Sequence, residues 1–173
     1  MLPDASPVGG AGRRTYDGKR QTFVVGRQNV VAADETISFE ELKDEFAFLG
    51  EWEDQCDYLI DLGFELPKLP EDAKTEQTRV HGCQSNVWLT ADVEGEGDAA
   101  RLNFVANSDS MFVSGLIVVV RSIFNRRTPE EILSIDAEAK FSELGLDRHL
   151  APQRKNGLFG MVERIRNIAA AAV

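Results

Sequence analysis

The sequence predicts an α+β domain in which helices pack on a small antiparallel β-sheet. Residues 38–63 carry apolar side chains at helical spacing, residues 84–106 alternate apolar and polar side chains, and residues 111–168 return to helical spacing. At 173 residues and 43% hydrophobic composition, the chain can bury a core without disulfides.

Two amphipathic helices are predicted before the sheet. Ser38 and Glu41 have the spacing of a capping box, so the first helix begins there and ends at Gly50. The second helix carries Cys56 on its apolar face, and we expect Gly63 to cap its C-terminus. The apolar faces consist of Phe39, Leu42, Phe46 and Leu49, and of Trp52, Cys56, Leu59 and Ile60.

A β-hairpin with one buried face follows. Two alternating segments flank the flexible sequence EGEGD, which is typical of a turn. A short strand over residues 78–81 is expected to precede the hairpin. The inward side chains are predicted to be Val87, Leu89, Ala91, Val93, Leu102, Phe104 and Ala106.

The rest of the chain is predicted to be helical. MFVSGLIVVVRSIF is apolar on nearly all sides, which is typical of a central buried helix. Thr128 and Pro129 start a short helix, and residues 136–144 form another that Gly145 closes. The last helix carries Leu158, Met161, Ile165 and Ile168 at helical spacing.

Charge and composition restrict the partners. The net charge of -10 argues against nucleic acid or an anionic membrane, and indicates either simple solubility or a basic partner surface. No apolar stretch approaches the roughly 20 residues that span a bilayer. Two cysteines are too few for a disulfide framework or a closed four-cysteine zinc site, so no metal is expected.

Residues 1–33 differ from the rest of the sequence. They hold five basic and two acidic side chains, a net charge of +3, whereas the remainder carries -13. Their glycine, proline and polar residues show no periodicity, so we expect a disordered extension before a folded domain at 34–173. No apolar secretory segment is present, which favours a cytoplasmic protein; an organellar transit peptide is the alternative.

The two cysteines lie in different contexts. Cys56 lies on an apolar stripe, which predicts a small buried residue whose thiol is inert. Cys83 lies in the sequence RVHGCQSNVWLTAD, after a glycine and before polar residues. Backbone amides in such a bend can favour a thiolate. His81 shares a face with Cys83 if the segment is extended, so its imidazole is expected near the sulfur.

Several chemistries could use an exposed thiol. A metal site needs more ligands than Cys83, His81 and His149, and a redox pair needs a second accessible thiol. A Cys-dependent hydrolase also needs a base and an oxyanion hole, which no spacing reveals. The remaining active role is a thiolate that accepts a group from another protein and passes it on. A non-catalytic binding module with an incidental cysteine stays open.

Four segments resemble one family. HGCQSNVWL is similar to the G-C-Q-S-x-V-W signature of the SufE family, which includes CsdE-like proteins. The segments WEDQCDYLIDLGFELPKLP, NSDSMFVSGLIVVV and LAPQRKNGLFGMVERIR resemble further family motifs in the same order, from about residue 38 to 170. The resemblance implies a fold shared with IscU-type scaffolds. The position of Asn86 is often Gln in the family.

The resemblance also implies a function. A SufS-like or CsdA-like cysteine desulfurase, which carries its own pyridoxal phosphate, would pass persulfide sulfur to Cys83. The chain would stimulate desulfurase turnover and deliver sulfur to an iron–sulfur scaffold complex. It would thus be a carrier and activator without a cofactor of its own, and a monomer or a weak homodimer.

The family motifs assign further roles. Gly82, Gln84 and Ser85 would shape the loop around the thiol. Arg154 would stabilise the thiolate or persulfide, or pair with an acid. His81 lies outside the motif, and a supporting role would be particular to this chain. The residues with both a partner-facing and a structural interpretation are Ser108 and Asp109, as an N-cap and a first-turn acid, and His149, as a locally packed side chain.

Overall fold

The computed structural model describes residues 36–173, so the extension expected at 1–33 lies outside the described residues. Within that range, helices surround a two-stranded antiparallel sheet, which confirms the α+β prediction. None of the helices in residues 36–173 is long and apolar enough to cross a membrane. The elements are α1 Phe39–Leu49, α2 Trp52–Phe64, β1 Val87–Glu94, β2 Arg101–Ser108, α3 Met111–Phe124, α4 Pro129–Ser134, α5 Ala137–Glu143, α6 Leu146–His149 and α7 Pro152–Ala171.

The helix boundaries follow local capping chemistry. Ser38 and Glu41 form the expected capping box of α1, and Gly50 ends the helix with a φ of 74°. Thr128 and Glu131 form the same arrangement at α4. Helix α3 is buried along nearly its whole length, as its sequence predicts. The ends of α1 and the start of α4 therefore result from short-range interactions.

The prediction that Gly63 caps α2 is wrong. The helix continues through Phe64, and Gly63 instead faces α3. A Cβ atom on Gly63 would lie 2.9 Å from the backbone nitrogen of Gly115. A Cβ atom on Gly115 would in turn lie 2.9 Å from the backbone of Leu59. The absence of both side chains lets the two helices pack in close contact.

Cys56 is less buried than its place on the apolar stripe predicts. Leu59 and Leu62 form the fully buried face of α2, while Cys56 is half-buried. Burial raises the pKa of the Cys56 thiol, and the carboxylates of Asp57 and Glu53 raise it further. The expectation of a weakly reactive thiol is therefore supported by charge as well as by burial.

The hairpin has the expected buried face at the end where β1 begins and β2 finishes. Val87 pairs with Ser108, and the inward residues of β2 are buried. Val93 lies at the far end of β1 and is 41% exposed, so the predicted buried face does not extend that far. The expected strand over 78–81 is reduced to one bridge, between Arg79 and Trp88.

Both outer edges of the hairpin are partly paired. On the β1 edge, Leu89 N–H donates to the Thr78 carbonyl at 2.8 Å. On the β2 edge, Leu102 N–H donates to the Arg127 carbonyl at 2.9 Å, and Phe104 N–H donates to Asn125 Oδ1 at 3.0 Å. Groups beside the hairpin thus satisfy donors that would otherwise face outward.

Candidate functional site

Cys83 lies in a loop formed by residues 81–86, which we call the cysteine loop. Val80 N–H donates to the Val87 carbonyl at 2.8 Å and closes the loop at its base. Gly82 has a φ of 95°, a backbone conformation that glycine adopts without steric penalty. Cys83 is half-buried and packs against the hydrophobic core. Its thiol is therefore shielded on one side while the loop stays at the surface.

A clamp from the start of α3 holds one end of the cysteine loop. Asp109 accepts hydrogen bonds from the Asn86 backbone N–H at 3.1 Å and from its side-chain amide at 2.8 Å. Ser108 Oγ donates to the Asn86 carbonyl at 2.7 Å. The interpretations of Ser108 as the N-cap of α3 and of Asp109 as its first-turn acid are wrong, because Ser108 still belongs to β2, Asp109 precedes the cap, and Ser110 caps the helix.

Helix α7 packs against the first half of the cysteine loop through two glycines. A Cβ atom on Gly157 would lie 2.8 Å from both Cβ and Sγ of Cys83. A Cβ atom on Gly160 would lie 2.7 Å from the His81 carbonyl oxygen. We call Gly157 and Gly160 together the glycine surface. It brings the loop into contact with a helix about 75 residues further along the chain.

Arg154 lies one helical turn before Gly157, on the same side of α7. Its guanidinium carbon lies 5.0 Å from the ring centroid of Phe112, in the first turn of α3. The Arg154 Nη1 atom is buried and has no hydrogen-bond partner among the described residues. The guanidinium therefore packs on an aromatic ring and keeps one buried donor unused, one helical turn before the glycine that meets Cys83.

The two histidines have other contacts. His81 Nε2 lies 3.2 Å from Glu76 Oε1, and the His81 side chain is 70% exposed. His149 stacks on Trp52 with ring centroids 4.5 Å apart, which is the local packing that its alternative interpretation describes. A role of His81 at the thiol and a partner-facing role of His149 stay predictions.

The loop residues after the cysteine differ in exposure. Gln84 is exposed and Ser85 is half-buried. Sequence reasoning missed the importance of Asn86, whose four backbone and side-chain bonds define the loop's end. It also missed the glycine surface, although the three-residue spacing of two glycines in a helix was the available signal. In the described part of the chain, no cluster of His, Cys, Asp and Glu could hold a metal ion.

The sequence matches a known family over this whole arrangement. Residues 40–169 match the SufE family, described as an Fe-S metabolism associated domain. The chain belongs to the SufE family. The match includes the cysteine loop, the clamp and the glycine surface. The SufE resemblance of the motifs is thereby confirmed, together with an association with Fe-S metabolism.

Relatives of this SufE family member span most of its length. An uncharacterized SufE-like protein of Rhizobium meliloti (strain 1021) is 42% identical over 132 residues, which are 76% of this chain and 94% of the relative. An uncharacterized SufE-like protein of Rhizobium etli is 39% identical over 132 residues, 76% of this chain and 89% of the relative. The solution structure of a hypothetical protein from Thermus thermophilus has a TM-score of 0.62 at 22% identity, covers 78% of this chain and 94% of that one, and supports the fold alone.

Proposed function

We propose that this SufE family protein accepts sulfur on Cys83 from the persulfide of a cysteine desulfurase and thereby stimulates the desulfurase. The observation that carries the proposal is the environment of Cys83. Its thiol lies in a surface loop that is fixed at Asn86 and at α7, whereas Cys56 has a thiol of raised pKa. Family membership supports an Fe-S role for the one cysteine that lies in such a loop.

The transfer is a thiol–disulfide type of exchange. The Cys83 thiolate attacks the outer sulfur of the partner's cysteine persulfide, and the sulfur–sulfur bond of that persulfide breaks. A new sulfur–sulfur bond forms at Cys83, and the partner cysteine leaves as a thiolate that takes up a proton. No external oxidant or reductant is consumed. The pyridoxal phosphate that releases sulfur from cysteine belongs to the partner.

Two surrounding features support the acceptor role. Glycine at position 82 lets the loop turn at the cysteine, and Arg154, three residues before the glycine that meets Cys83, has a buried Nη1 donor without a partner among the described residues, of the kind that an anionic sulfur accepts from. The proposal includes delivery of the sulfur to an iron–sulfur scaffold complex. It also places the protein in the cytoplasm, where a free thiol stays reduced.

A Cys-dependent hydrolase is less well supported by the geometry. Such an enzyme needs a general base that hydrogen-bonds the nucleophile. The imidazole closest in sequence to Cys83 pairs with Glu76, and the other histidine stacks on Trp52. Neither contact orients a histidine on the thiol.

The test is persulfidation measured by intact-protein mass spectrometry. The full chain is incubated with a pyridoxal-phosphate cysteine desulfurase and free cysteine, and modified peptides are mapped without reductant. We expect a gain of about 32 Da, one sulfur atom, on Cys83. Cys56→Ser is the matched control and should still gain the mass. If Cys83→Ser stimulates the desulfurase as well as the native chain, the proposal is wrong.

A further inference from the structure

We propose that Phe112 is a positioning residue for sulfur transfer. Its ring holds the Arg154 guanidinium one helical turn from the glycine that meets Cys83, as a cation that no carboxylate neutralises, so that Cys83 reacts preferentially with anionic sulfur donors. The inference rests on the proposed function only in that it concerns the acceptor thiol. Phe112 acts through Arg154 and does not touch the reacting sulfur.

Arg154 contacts an aromatic ring although this acidic chain offers many carboxylates. The chain carries 29 acidic side chains against 19 basic ones. Within residues 36–173, Lys43 and Arg126 pair with glutamates, whereas the Arg154 guanidinium forms no such pair and lies 5.0 Å from the Phe112 ring centroid. A carboxylate would neutralise the guanidinium and occupy its donors, but a ring attracts the cation through its face. The contact with Phe112 therefore keeps the positive charge in place.

The Arg154 guanidinium also has a donor that the described residues do not use. Its Nη1 atom is buried and has no hydrogen-bond partner within residues 36–173. Such a donor costs free energy, because it has lost water and gained no acceptor in return. An anion that enters the site would supply the missing acceptor, and an anionic sulfur is such a group. The site is therefore suited to a negatively charged donor.

The ring and the guanidinium belong to the two helices on either side of the cysteine loop. Phe112 in α3 lies three residues after Asp109, which binds the last residue of the loop. Arg154 in α7 lies three residues before Gly157, whose Cβ position is 2.8 Å from Cys83 Sγ. Residues three apart on a helix are neighbours on its surface. The contact between Phe112 and Arg154 thus joins α3 and α7 next to the places where each meets the loop.

A fixed contact determines where the charge of a long side chain acts. Arginine has many rotamers, and holding one of them costs conformational entropy that an attractive contact offsets. Phe112 is half-buried and packs against the hydrophobic core, so its ring has a defined place. An aliphatic side chain of similar size would fill that place without attracting the cation. Phe112→Leu should therefore release the guanidinium, whereas Phe112→Tyr should retain it.

The experiment compares alkylation of Cys83 by iodoacetate, which is anionic, with alkylation by iodoacetamide, which is neutral and nearly the same size. In both reactions the thiolate forms a carbon–sulfur bond and iodide leaves. Peptide mass spectrometry of the full chain gives both rates at low ionic strength, where charges are weakly screened. The ratio of the iodoacetate rate to the iodoacetamide rate reports fixed charge at the sulfur, because a change in exposure alters both rates alike.

We expect Phe112→Leu to lower this ratio several-fold at Cys83, and Phe112→Tyr to keep the native ratio. The ratio at Cys56 should stay native in each variant. Phe48→Leu is the matched control, because it makes the same substitution at an exposed position of α1 and should leave both ratios unchanged. An unchanged Cys83 ratio in Phe112→Leu would overturn the proposal. If Phe112→Leu does not fold, Phe112→Met removes the ring and is judged by the same ratio.

A double variant tests whether the ring acts through the arginine. We expect Arg154→Gln to lower the Cys83 ratio as far as Phe112→Leu does. Phe112→Leu should lower it no further in the Arg154→Gln background, because the cation that the ring holds is already absent. A further several-fold fall in the double variant would overturn the proposal, since the ring would then influence the sulfur without Arg154.

These readouts need no desulfurase. If the native chain gains no sulfur on Cys83, the proposed function fails, while the alkylation ratios still decide the role of Phe112. If the native chain gains sulfur on Cys83 and Phe112→Leu leaves the ratio unchanged, only the positioning role fails.

Discussion

The Asp109 carboxylate accepts two hydrogen bonds from a single residue of the cysteine loop. Both carboxylate oxygens accept from Asn86, and the neighbouring Ser108 hydroxyl donates to the Asn86 carbonyl. Asp109 therefore fixes the loop at Asn86, whereas the glycine surface meets it at His81 and Cys83. A partner-facing role for Asp109 stays compatible with this geometry, because the residue is exposed.

We expect Asp109→Ala to loosen the cysteine loop and to lower the free energy of unfolding by about 1 kcal/mol, since exposed charge-assisted hydrogen bonds contribute modestly. Hydrogen–deuterium exchange should increase in peptides that cover residues 81–86. Asp92→Ala is the control, because it removes the same charge from an exposed position of β1. Equal exchange in the two variants would show that Asp109 does not hold the loop.

Cys56 provides a pH-dependent prediction. Burial and the charges of Asp57 and Glu53 all disfavour its thiolate, so its pKa lies above the ordinary thiol value of about 8.5. Alkylation of Cys56 should therefore accelerate only at more alkaline pH. Asp57→Asn removes one negative charge, lowers the pKa and should raise the alkylation rate near pH 8. If the pH dependence of the Cys56 alkylation rate is the same in the Asp57→Asn variant and in the native chain, this prediction is wrong.

Local sequence features singled out Cys83 but did not reveal its surroundings. Cys83 stands out because a glycine precedes it and polar residues follow. The contacts that fix its loop come from Asp109 and Gly157, and neither is a neighbour of Cys83 in the sequence. Periodicity describes which face of an element is buried, and it does not describe which distant backbone that face meets.

Helices α2 and α3 depend on small residues where they meet. Gly63 faces the backbone of Gly115, and Gly115 faces the backbone of Leu59, at distances that leave no room for a side chain. The sequence suggested a cap at Gly63 because glycine often follows the last helical residue, and here helix packing determines its use instead. Helix α6 was missed for a different reason, since four residues are too few to show a period.

We expect Gly115→Ala to destabilise the protein by about 1–3 kcal/mol, because the added methyl group overpacks the contact with Leu59 despite the better helix propensity of alanine. Chemical denaturation measures the change. Asp44→Ala, at an exposed position of α1, is the control for helix propensity and should cost far less. A Gly115→Ala variant as stable as the native chain would show that the helices can separate freely.

Residues 36–173 form a compact unit with a hydrophobic core cluster of their own. The expectation of a separate domain at 34–173 stays a prediction. Buried residues of that cluster run from Phe39 to Ala169. This core is the reason to test whether residues 36–173 fold on their own.

We expect a chain that begins at Thr36 to unfold cooperatively with nearly the native midpoint. Fluorescence of Trp52 and Trp88 during guanidinium denaturation reports the transition. The same shortened chain should accept sulfur on Cys83 if the proposed function holds. A broad, non-cooperative transition would show that residues before Thr36 contribute to the core.

The partly paired outer edges of the hairpin affect how readily another molecule can add a strand to the sheet. An isolated two-stranded sheet offers two rows of backbone donors and acceptors on which another chain can add a strand and begin an aggregate. Here the Thr78 carbonyl accepts a hydrogen bond from the β1 edge, and the Arg127 carbonyl and Asn125 Oδ1 accept hydrogen bonds from the β2 edge. These hydrogen bonds leave fewer free backbone groups on which a neighbouring molecule could add a strand.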